Sequence, residues 1–506
     1  MKPFPRKLLI WTLAAGVAAA LLLVYLLLRQ FEFEKIRDEY KERTAGELIR
    51  YARIRLMGHE LLETVMLPAL AAIESGIERP IPSSQMPSLS KGQQSFGLAP
   101  PRFLAKGQAQ AEPATPLPYE TPGGVNEVRV TSSAELFRAM QKAQAGQTIL
   151  IAPGRYAITR PLLTGAAGEA QFPIQVRANK PGTVRLEVSS PVGFRVAHPF
   201  WVFENLNLRG VCEEQAHCEH AFHIVGSARS SVLRNNAMED FNAHVRVNGE
   251  GEGKDQAWPD DGLLQFNSFS NSRPRTTQRV VAPIDLVGVS RWRVLDNHIT
   301  GFAKSLGNQT AYGLLIRGGG HGGRVERNLL VCSSQPGSSP GIRVGLSFGG
   351  SSGDKKLCRE QCGIEHSAGL ASNNVIAHCN DFGIDINQAT SILLAHNSLI
   401  NTAGIDVRSA QSSATVYGNL LDGRIRERDG ARANAGMNEV HDLRQQLQNP
   451  DGLDLRWRHR VDSVPTLPMV LNDFCGQVRG ASSLPGALKG PVADCFINTA
   501  AVKELP

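Results

Sequence analysis

Aromatic residues are scarce in this chain of 506 residues, at 6% of the sequence, whereas glycine occurs 49 times. A core with few large rings has to be built from Val, Ile and Leu, and frequent glycines suit a chain that turns often. The sequence also lacks a helix-turn-helix, a zinc finger and a platform of interleaved aromatic and basic residues, which argues against nucleic acid as a partner. The net charge of +7 still favours an anionic partner, such as an acidic glycan or an anionic lipid.

Short segments between about residues 220 and 410 repeat one apolar-x-apolar pattern with polar residues between. They cover 222–226, 245–249, 284–288, 314–318, 342–345, 384–387 and 405–408. Successive side chains of a strand point to opposite faces, so each segment buries its apolar residues and exposes the residues between them. Repetition every 20 to 40 residues, roughly, is typical of a solenoid.

An Asn-x-apolar step follows these segments and repeats with them. It begins at Asn236, Asn267, Asn297, Asn328, Asn374, Asn397 and Asn419. Asparagine tolerates the left-handed backbone of a tight corner, and its amide can bond to the same amide one coil away. Together the two repeats predict an all-β protein, a parallel β-helix.

Stacked in register, the segments would expose two columns of side chains on one face. The first column reads His223, Arg246, Asp285, Leu315, Arg343, Asp385 and Asp406; the second reads Val225, Asn248, Val287, Arg317, Gly345, Asn387 and Arg408. Coils rise about 4.8 Å each, close to the length of one sugar residue. Arginine binds carboxylates through two parallel hydrogen bonds. We therefore predict a groove for an acidic polysaccharide, walled by insertions at 250–261, 272–279 and 349–367.

Each exposed residue has a candidate role in this groove. For a lyase, Arg246, Arg317 or Arg343 would neutralise a uronate carboxylate or act as the base, and His223 or His244 would carry the proton. For a hydrolase, Asp285 with Asp385 or Asp406 would form the acid and base pair. The remaining predicted substrate-binding residues are Asn248, Asn387, Arg408, Arg273 and Arg275. Asp285, Asp385 and Asn387 could also bind Ca²⁺, and the alternative for the whole set is a ladder of salt bridges.

The N-terminal segments indicate a membrane protein. An apolar run at 8–28 follows a basic tip at 1–7, and we predict an uncleaved transmembrane anchor. A helical stalk that can self-associate is predicted at 29–78, and a linker rich in Pro, Ser and Gln at 79–124. The predicted localisation is a single-pass membrane protein with a periplasmic or other extracytoplasmic C-terminal domain.

The eight cysteines favour an oxidising compartment. Their spacing predicts pairs 212 with 218, 358 with 362, and 475 with 495, and leaves Cys332 and Cys379 as a fourth pair or as buried thiols. Zinc is the alternative for Cys358, Cys362 and His366, and a metal is a weaker alternative for His217, His220 and His223.

A family resemblance begins where the globular part opens, at residue 125. A short helix that starts at Ser132 or Ser133 is followed by the sequence AGQTILIAPGRY at 145–156. This opening resembles the N-terminal cap of the pectate-lyase-like right-handed parallel β-helix superfamily, as do the segments 203–210, 473–476 and 485–488. The resemblance covers about 125–490 and implies a capping helix, a β-helix at 125–430 and a C-terminal cap at 431–506.

The resemblance does not carry a reaction, because the superfamily includes lyases, hydrolases, epimerases and adhesins. The lysine base of chondroitinase B-like and alginate lyases has no counterpart here, where the closest position holds Arg317. The polygalacturonase motifs are also missing. Because the predicted groove is richer in arginine than in paired carboxylates, a polysaccharide lyase is the favoured reading. The alternatives are a non-catalytic glycan-binding or assembly scaffold, a glycoside hydrolase and an epimerase.

Overall fold

The computed structural model describes residues 126–251, 255–333, 341–350, 357–359 and 363–490, together with Met66, Ala69, Leu70 and Ile73 before them. The chain divides into two units, Met1–Leu70 and Ala71–Pro506, and the β-strands lie in the second. Apart from those four residues, the segments 1–7, 8–28, 29–78 and 79–124 lie outside the described residues.

The predicted localisation has to be corrected. Among the described residues no helix is both long and apolar enough to cross a membrane. This finding contradicts the prediction of a single-pass membrane protein with its C-terminal domain outside the cytoplasm.

Three long parallel sheets form the fold, and each complete coil contributes one strand to each sheet in the order I, III, II. Sheet I contains Glu127–Val130, Thr148–Ile151, Ile174–Ala178, Trp201–Glu204, Val232–Arg234, Leu263–Gln265, Arg293–Leu295, Arg324–Glu326, Leu370–Ser372, Ile392–Ala395, Ser413–Tyr417 and Arg432–Gly436. Sheet II contains Leu162–Leu163, Val192–Val196, His220–Val225, Val245–Asn248, Ile284–Val287, Thr310–Arg317, Ile342–Gly349, Ile384–Asn387, Gly404–Arg408 and Arg424–Arg428. Sheet III contains Gly154–Ile158, Val184–Val188, Asn207–Gly210, Ala237–Glu239, Ser268–Ser270, His298–Thr300, Leu329–Val331, Val375–Ala377, Ser398–Ile400, Leu420–Leu421 and Glu439–Val440.

This arrangement is the predicted right-handed parallel β-helix. Side chains that point inward stack from coil to coil, as the rings of Phe194 and Phe222 do with centroids 4.8 Å apart. Further such ladders of Ile, Leu and Val fill the core. The coils continue to Val440, past residue 430, where the C-terminal cap was predicted to begin.

The predicted asparagine ladder is present inside the turn between sheets I and III. The backbone N–H of each asparagine donates to the side-chain oxygen of the asparagine one coil further on, at 2.8–3.1 Å from Asn236 through to Asn419. The left-handed residue is not the asparagine itself but its predecessor, which has a φ of 53–63° at each of the seven steps. The amide therefore stays inside, where it satisfies backbone groups that the sharp turn leaves unpaired.

Both ends of the solenoid are covered. The helix Ser133–Lys142 is capped by Ser132, whose hydroxyl accepts the Glu135 N–H at 3.3 Å. The helix buries Leu136, Phe137 and Met140 on the first coil. This confirms the predicted capping helix.

The other end is covered by a segment with the short helix Leu443–Gln446 and two antiparallel strand pairs, Leu447–Asn449 with Asp454–Trp457 and Val464–Pro465 with Ser482–Ser483. Arg479 fastens this segment through hydrogen bonds to Asn373 Oδ1, at 3.0 and 2.6 Å. A further small parallel sheet pairs Gly320–His321, His366–Ser367 and Ala389–Thr390, and single 3₁₀ turns occupy Gln215–His217 and Pro450–Gly452.

The predicted disulfide Cys212–Cys218 is formed, and Cys332 and Cys379, which the sequence left as a pair or as thiols, are also joined. Cys358 and Cys475 are also disulfide-bonded, so Cys358 is not a thiolate that could bind zinc. Their predicted partners at 362 and 495 lie outside the described residues.

Candidate functional site

The outward face of sheet II carries most of the predicted groove residues. His223 pairs with Arg246, Arg246 with Asp285, and Asp385 with Asp406, as the predicted columns require. Asn248 and Arg317 likewise both lie beside Val287 in the second column.

The position predicted for Arg343 is wrong. Its strand has eight residues, Ile342–Gly349, and Ser347 rather than Arg343 pairs with Asp385. Arg343 lies four positions earlier, beside Ala311, and is 1% exposed. The apolar-x-apolar pattern occurs twice in this strand, at 342–344 and at 346–348, and only the second copy stacks on its neighbours in the predicted column.

Five predicted residues, His223, Arg246, Asn248, Asp285 and Arg317, form one hydrogen-bonded group that we call the His223 cluster. Asp285 is fully buried and accepts hydrogen bonds from Arg317 Nε and Nη2, both at 3.1 Å. It also accepts one from Arg246 Nη1. Asn248 Oδ1 accepts hydrogen bonds from His223 Nε2 at 2.9 Å and from Arg246 Nε at 3.4 Å. One carboxylate and one amide thus fix both arginines and the imidazole.

The hydrogen bonds also fix the tautomer of His223. The Asn248 amide donates its Nδ2–H to the Gly249 carbonyl at 2.8 Å, so its Oδ1 must be the acceptor toward His223. The proton of His223 is therefore on Nε2, and Nδ1 has a lone pair with no hydrogen-bond partner in the described part of the chain. Burial lowers the pKa of His223, the Asn248 bond opposes this, and the charges of Arg246 and Arg195 lower it further. The imidazole is neutral at neutral pH.

Asp285 is ionised, whereas a general acid has to carry a proton. Burial raises its pKa, but the charges and hydrogen bonds of Arg246 and Arg317 outweigh this and lower it to about 2. Because a general acid has to be protonated at the working pH, Asp285 is suited to orienting the two arginines instead.

The other predicted proton carrier, His244, does not reach the groove. It is fully buried, with its ring against Phe241 and Phe269, and its Nε2–H donates to the Ser270 carbonyl at 2.8 Å. Burial lowers the pKa of His244 to about 4. Its role is structural.

Further along sheet II, aspartates and arginines alternate in what we call the Asp–Arg ladder, formed by Ser347, Asp385, Asp406, Arg408 and Arg428. Arg408 binds Asp385 with Nε and Nη2 at 2.8 and 3.0 Å, and the Ser347 hydroxyl donates to Asp385 at 3.1 Å. Arg428 Nη2 donates to Asp406 at 2.7 Å, and Arg408 Nε is 3.7 Å from Asp406. Two carboxylates thus pair with two guanidinium groups. This is the ladder of salt bridges that the sequence allowed as the alternative to a substrate site.

Asn387 lies at the end of this ladder, half-buried, beside Gly349 and Arg408 in the register. It contributes a polar edge to the ladder rather than a contact with the His223 cluster.

A loop of the predicted wall is packed against the second column. The indole of Trp258 lies so close to Gly249 and Gly288 that a Cβ at either position would come within 2.5 Å and 2.0 Å of the ring. Arg359 lies over the other side, 4.9 Å from the ring centroid, and its Nη2 donates to Asp260 at 2.8 Å. Insertions from two coils therefore join at the end of the sheet II strands, beside the second predicted column.

Arg273 and Arg275, predicted to bind substrate in the groove, lie elsewhere. They line a small separate pocket at the turn from sheet III to sheet II, and no residue of the His223 cluster lines it. The cause is local: Arg275 is buried, and its Nε donates to Asn242 Oδ1 at 3.1 Å instead of pointing along sheet II.

Several charged residues beside the columns were not predicted from the sequence. Arg195 pairs with His223 in the register and binds Glu250, and the pattern Phe-Arg-Val at 194–196 could have revealed it. Glu365 Oε2 accepts the Gly318 N–H at 2.7 Å. Burial lowers the pKa of Arg317, but Asp285 and, to a smaller extent, Glu365 raise it above the ordinary value. Glu365 comes from a loop insertion, so no repeat marks it. Arg428 was missed because its strand has no apolar-x-apolar pattern.

A calcium site is not assembled from the predicted ligands. Asp285 belongs to the His223 cluster and Asp385 to the Asp–Arg ladder, and arginines occupy both carboxylates. Within the described ranges, no group of three or more His, Cys, Asp or Glu side chains is placed to hold a metal ion.

Comparisons with known proteins give solved structures of low similarity only. No protein-family model and no curated protein matches the sequence. Similar solved structures include a PL6-family polysaccharide lyase from Pseudopedobacter saltans, with 13% identity over 66% of this chain and 96% of that chain and a TM-score of 0.32. An alginate lyase from Paenibacillus has 12% identity over 62% and 99%, with a TM-score of 0.35.

The A-module of a mannuronan C-5 epimerase from Azotobacter vinelandii has 10% identity over 63% and 79%, with a TM-score of 0.39. At these identities and TM-scores the likeness carries no argument about the reaction, and the parallel β-helix rests on the three stacked sheets of the structure itself.

Proposed function

We propose that this protein binds an acidic polysaccharide along sheet II and cleaves it by β-elimination at the His223 cluster. The observation that carries the proposal is a neutral imidazole with an unoccupied Nδ1 beside an arginine with donors to spare. Arg246 uses Nη1 for Asp285 and Nε for Asn248, and its Nη2 has no hydrogen-bond partner in the described part of the chain. The side chain of Arg246 is 14% exposed, and its Nη2 is not among the enclosed side-chain atoms that lack a partner, so we take this nitrogen as accessible to a ligand.

The chemistry follows from this placement. A uronate carboxylate bound to Arg246 loses part of its negative charge, which makes the hydrogen on the adjacent ring carbon more acidic. Nδ1 of His223 takes that proton, a carbon–carbon double bond forms, and the bond to the glycosidic oxygen breaks. The imidazolium that results can then return its proton to the leaving oxygen. Asp285 holds Arg246 and Arg317 in position, and Asn248 holds the tautomer of His223.

A non-catalytic glycan-binding scaffold is the second candidate, and the Asp–Arg ladder favours it. Its charges are balanced within the protein, so it offers hydrogen-bonding edges without an obvious proton acceptor. A hydrolase is less well supported, since Asp285 is held ionised and Asp385 is bound by Arg408.

The test is incubation of the full chain with a panel of uronate polysaccharides, following ultraviolet absorbance and reducing ends together. A lyase raises both, because each cleavage creates an unsaturated uronyl end and a reducing end. Reducing ends without absorbance would indicate hydrolysis and contradict the proposed reaction. Binding without either product would favour the scaffold.

A further inference from the structure

A small polar pocket, of about 260 Å³, lies at the turn from sheet III to sheet II. Arg209, Arg273 and Arg275 line it, and we call it the arginine pocket. Ligand pockets for drug-sized molecules usually measure about 300–1,000 Å³, so this one suits a single sugar or a small charged group.

Arg275 is the unusual member of this pocket, because it is a buried cation without a directly bonded carboxylate among its described contacts. The residue is 2% exposed, and it donates from Nε to Asn242 Oδ1 at 3.1 Å and from Nη2 to the Gln215 carbonyl at 2.5 Å. Its Nη1 has no hydrogen-bond partner in the described part of the chain and is not among the enclosed atoms that lack one. Those N–H groups therefore open into the pocket.

The charges around the pocket do not balance. Asp240 also lines it, but its carboxylate accepts the N–H and hydroxyl of Ser272, both at 2.8 Å, and lies 3.5 Å from Arg209 Nε. Arg209 is also 3.4 Å from Glu239. The lining itself contains three guanidinium groups and only one carboxylate, that of Asp240, which leaves positive charge in excess. Arg273 carries it to the surface, since it is exposed and has no partner in the described part of the chain.

The walls hold these donors in place before any ligand arrives. The disulfide Cys212–Cys218 closes the turn that contains Gln215, whose carbonyl accepts Arg275 Nη2 and whose Oε1 accepts the Thr276 N–H at 2.9 Å. A prearranged set of donors loses little conformational entropy on binding.

We infer that the arginine pocket binds one singly charged oxyanion carried by a sugar, either a carboxylate or a sulfate ester. Arg275 and Arg273 supply the hydrogen bonds, and the excess positive charge favours a charged oxyanion over a neutral sugar. The inference is independent of the proposed β-elimination, because the pocket and the His223 cluster share no residue.

The experiment is calorimetric titration of the full chain at low salt, with Arg246→Gln in every sample so that the His223 cluster contributes no carboxylate binding. The probes are glucuronic acid, N-acetylgalactosamine 4-sulfate and neutral N-acetylgalactosamine. We expect at least one charged sugar to bind and the neutral one not to bind. Comparison of the two charged sugars then assigns the carboxylate or the sulfate ester.

Adding Arg273→Gln should weaken that binding at least about fivefold, because an exposed donor is lost without disturbing the fold. The matched control is Arg279→Gln, which lies on the same loop, is 63% exposed and binds Glu219 instead of lining the pocket. It should change binding less than about twofold. Absence of charged-sugar binding in the Arg246→Gln parent, or equal weakening by both substitutions, would overturn the inference. Neither result depends on whether the polymer is cleaved.

Discussion

The two halves of sheet II are built from coils of the same kind and carry similar residues, yet their side chains form different hydrogen-bond patterns. In the His223 cluster, one aspartate binds two arginines, and the imidazole Nδ1 has no hydrogen-bond partner among the described residues. In the Asp–Arg ladder, Asp385 and Asp406 each have a dedicated arginine, and Arg408 lies near both of them. The first arrangement leaves hydrogen-bonding capacity for a ligand, and the second uses most of it within the protein.

The difference shows that an exposed column of Asp and Arg is not in itself a sign of catalysis. Stacked coils bring such residues about 4.8 Å apart, where they pair by default. The proposed reaction depends instead on groups that the pairing leaves without a partner in the described part of the chain, at His223 Nδ1 and Arg246 Nη2.

The largest expected effect is on catalysis. Replacing His223 with Ala removes the proposed base, and we expect the rate of uronyl product formation to fall about 10²- to 10⁴-fold, the usual contribution of a general base. The matched substitution in the other half is Arg408→Ala, for which we expect less than a tenfold change, mainly in KM. Equal losses for the two variants would remove the distinction between the halves.

The next effect is on stability. Asp285→Asn leaves Arg246 and Arg317 without their shared carboxylate in a buried site, and we expect the free energy of unfolding to fall by about 3–5 kcal/mol. Asp385→Asn should cost less, about 1–3 kcal/mol, since Arg408 keeps Asp406 nearby. Urea unfolding of both variants measures the difference, and a larger loss for Asp385→Asn would contradict it.

A smaller effect concerns pH. The proposed base works in its neutral form, so activity should be retained at mildly acidic pH and fall only as the pH drops through the lowered pKa of His223. The positive charge of Arg195 helps to lower that pKa, so Arg195→Gln should move the acidic limb of the pH–rate profile to higher pH. Arg428→Gln, in the ladder, serves as the control and should leave the limb in place. A shift to lower pH for Arg195→Gln would be inconsistent with His223 as the base.

Much of this structure could be predicted from the sequence, because repetition gives the same signal several times. Each asparagine step alone is only a turn signal, but the series predicts a ladder, and the structure contains it from Asn236 to Asn419. The same repetition placed His223, Arg246 and Asp285 on neighbouring coils.

The errors come where repetition stops. In Ile342–Gly349 the pattern occurs twice, and only packing decides which copy is in register, which is why Arg343 was misplaced. Arg275 turned inward because Asn242 and the Gln215 carbonyl offer bonds that no local pattern reveals. Glu365 lies in an insertion, where sequence spacing carries no information about position.

The most direct test of the central claim is a crystal structure of the full-length His223→Ala variant with a bound uronate oligosaccharide. The account predicts a carboxylate within hydrogen-bonding distance of Arg246, with the adjacent ring carbon facing the space that His223 Nδ1 occupied. A sugar bound only along Arg408 and Arg428, with Arg246 still unliganded, would contradict it and would favour a binding scaffold over a lyase.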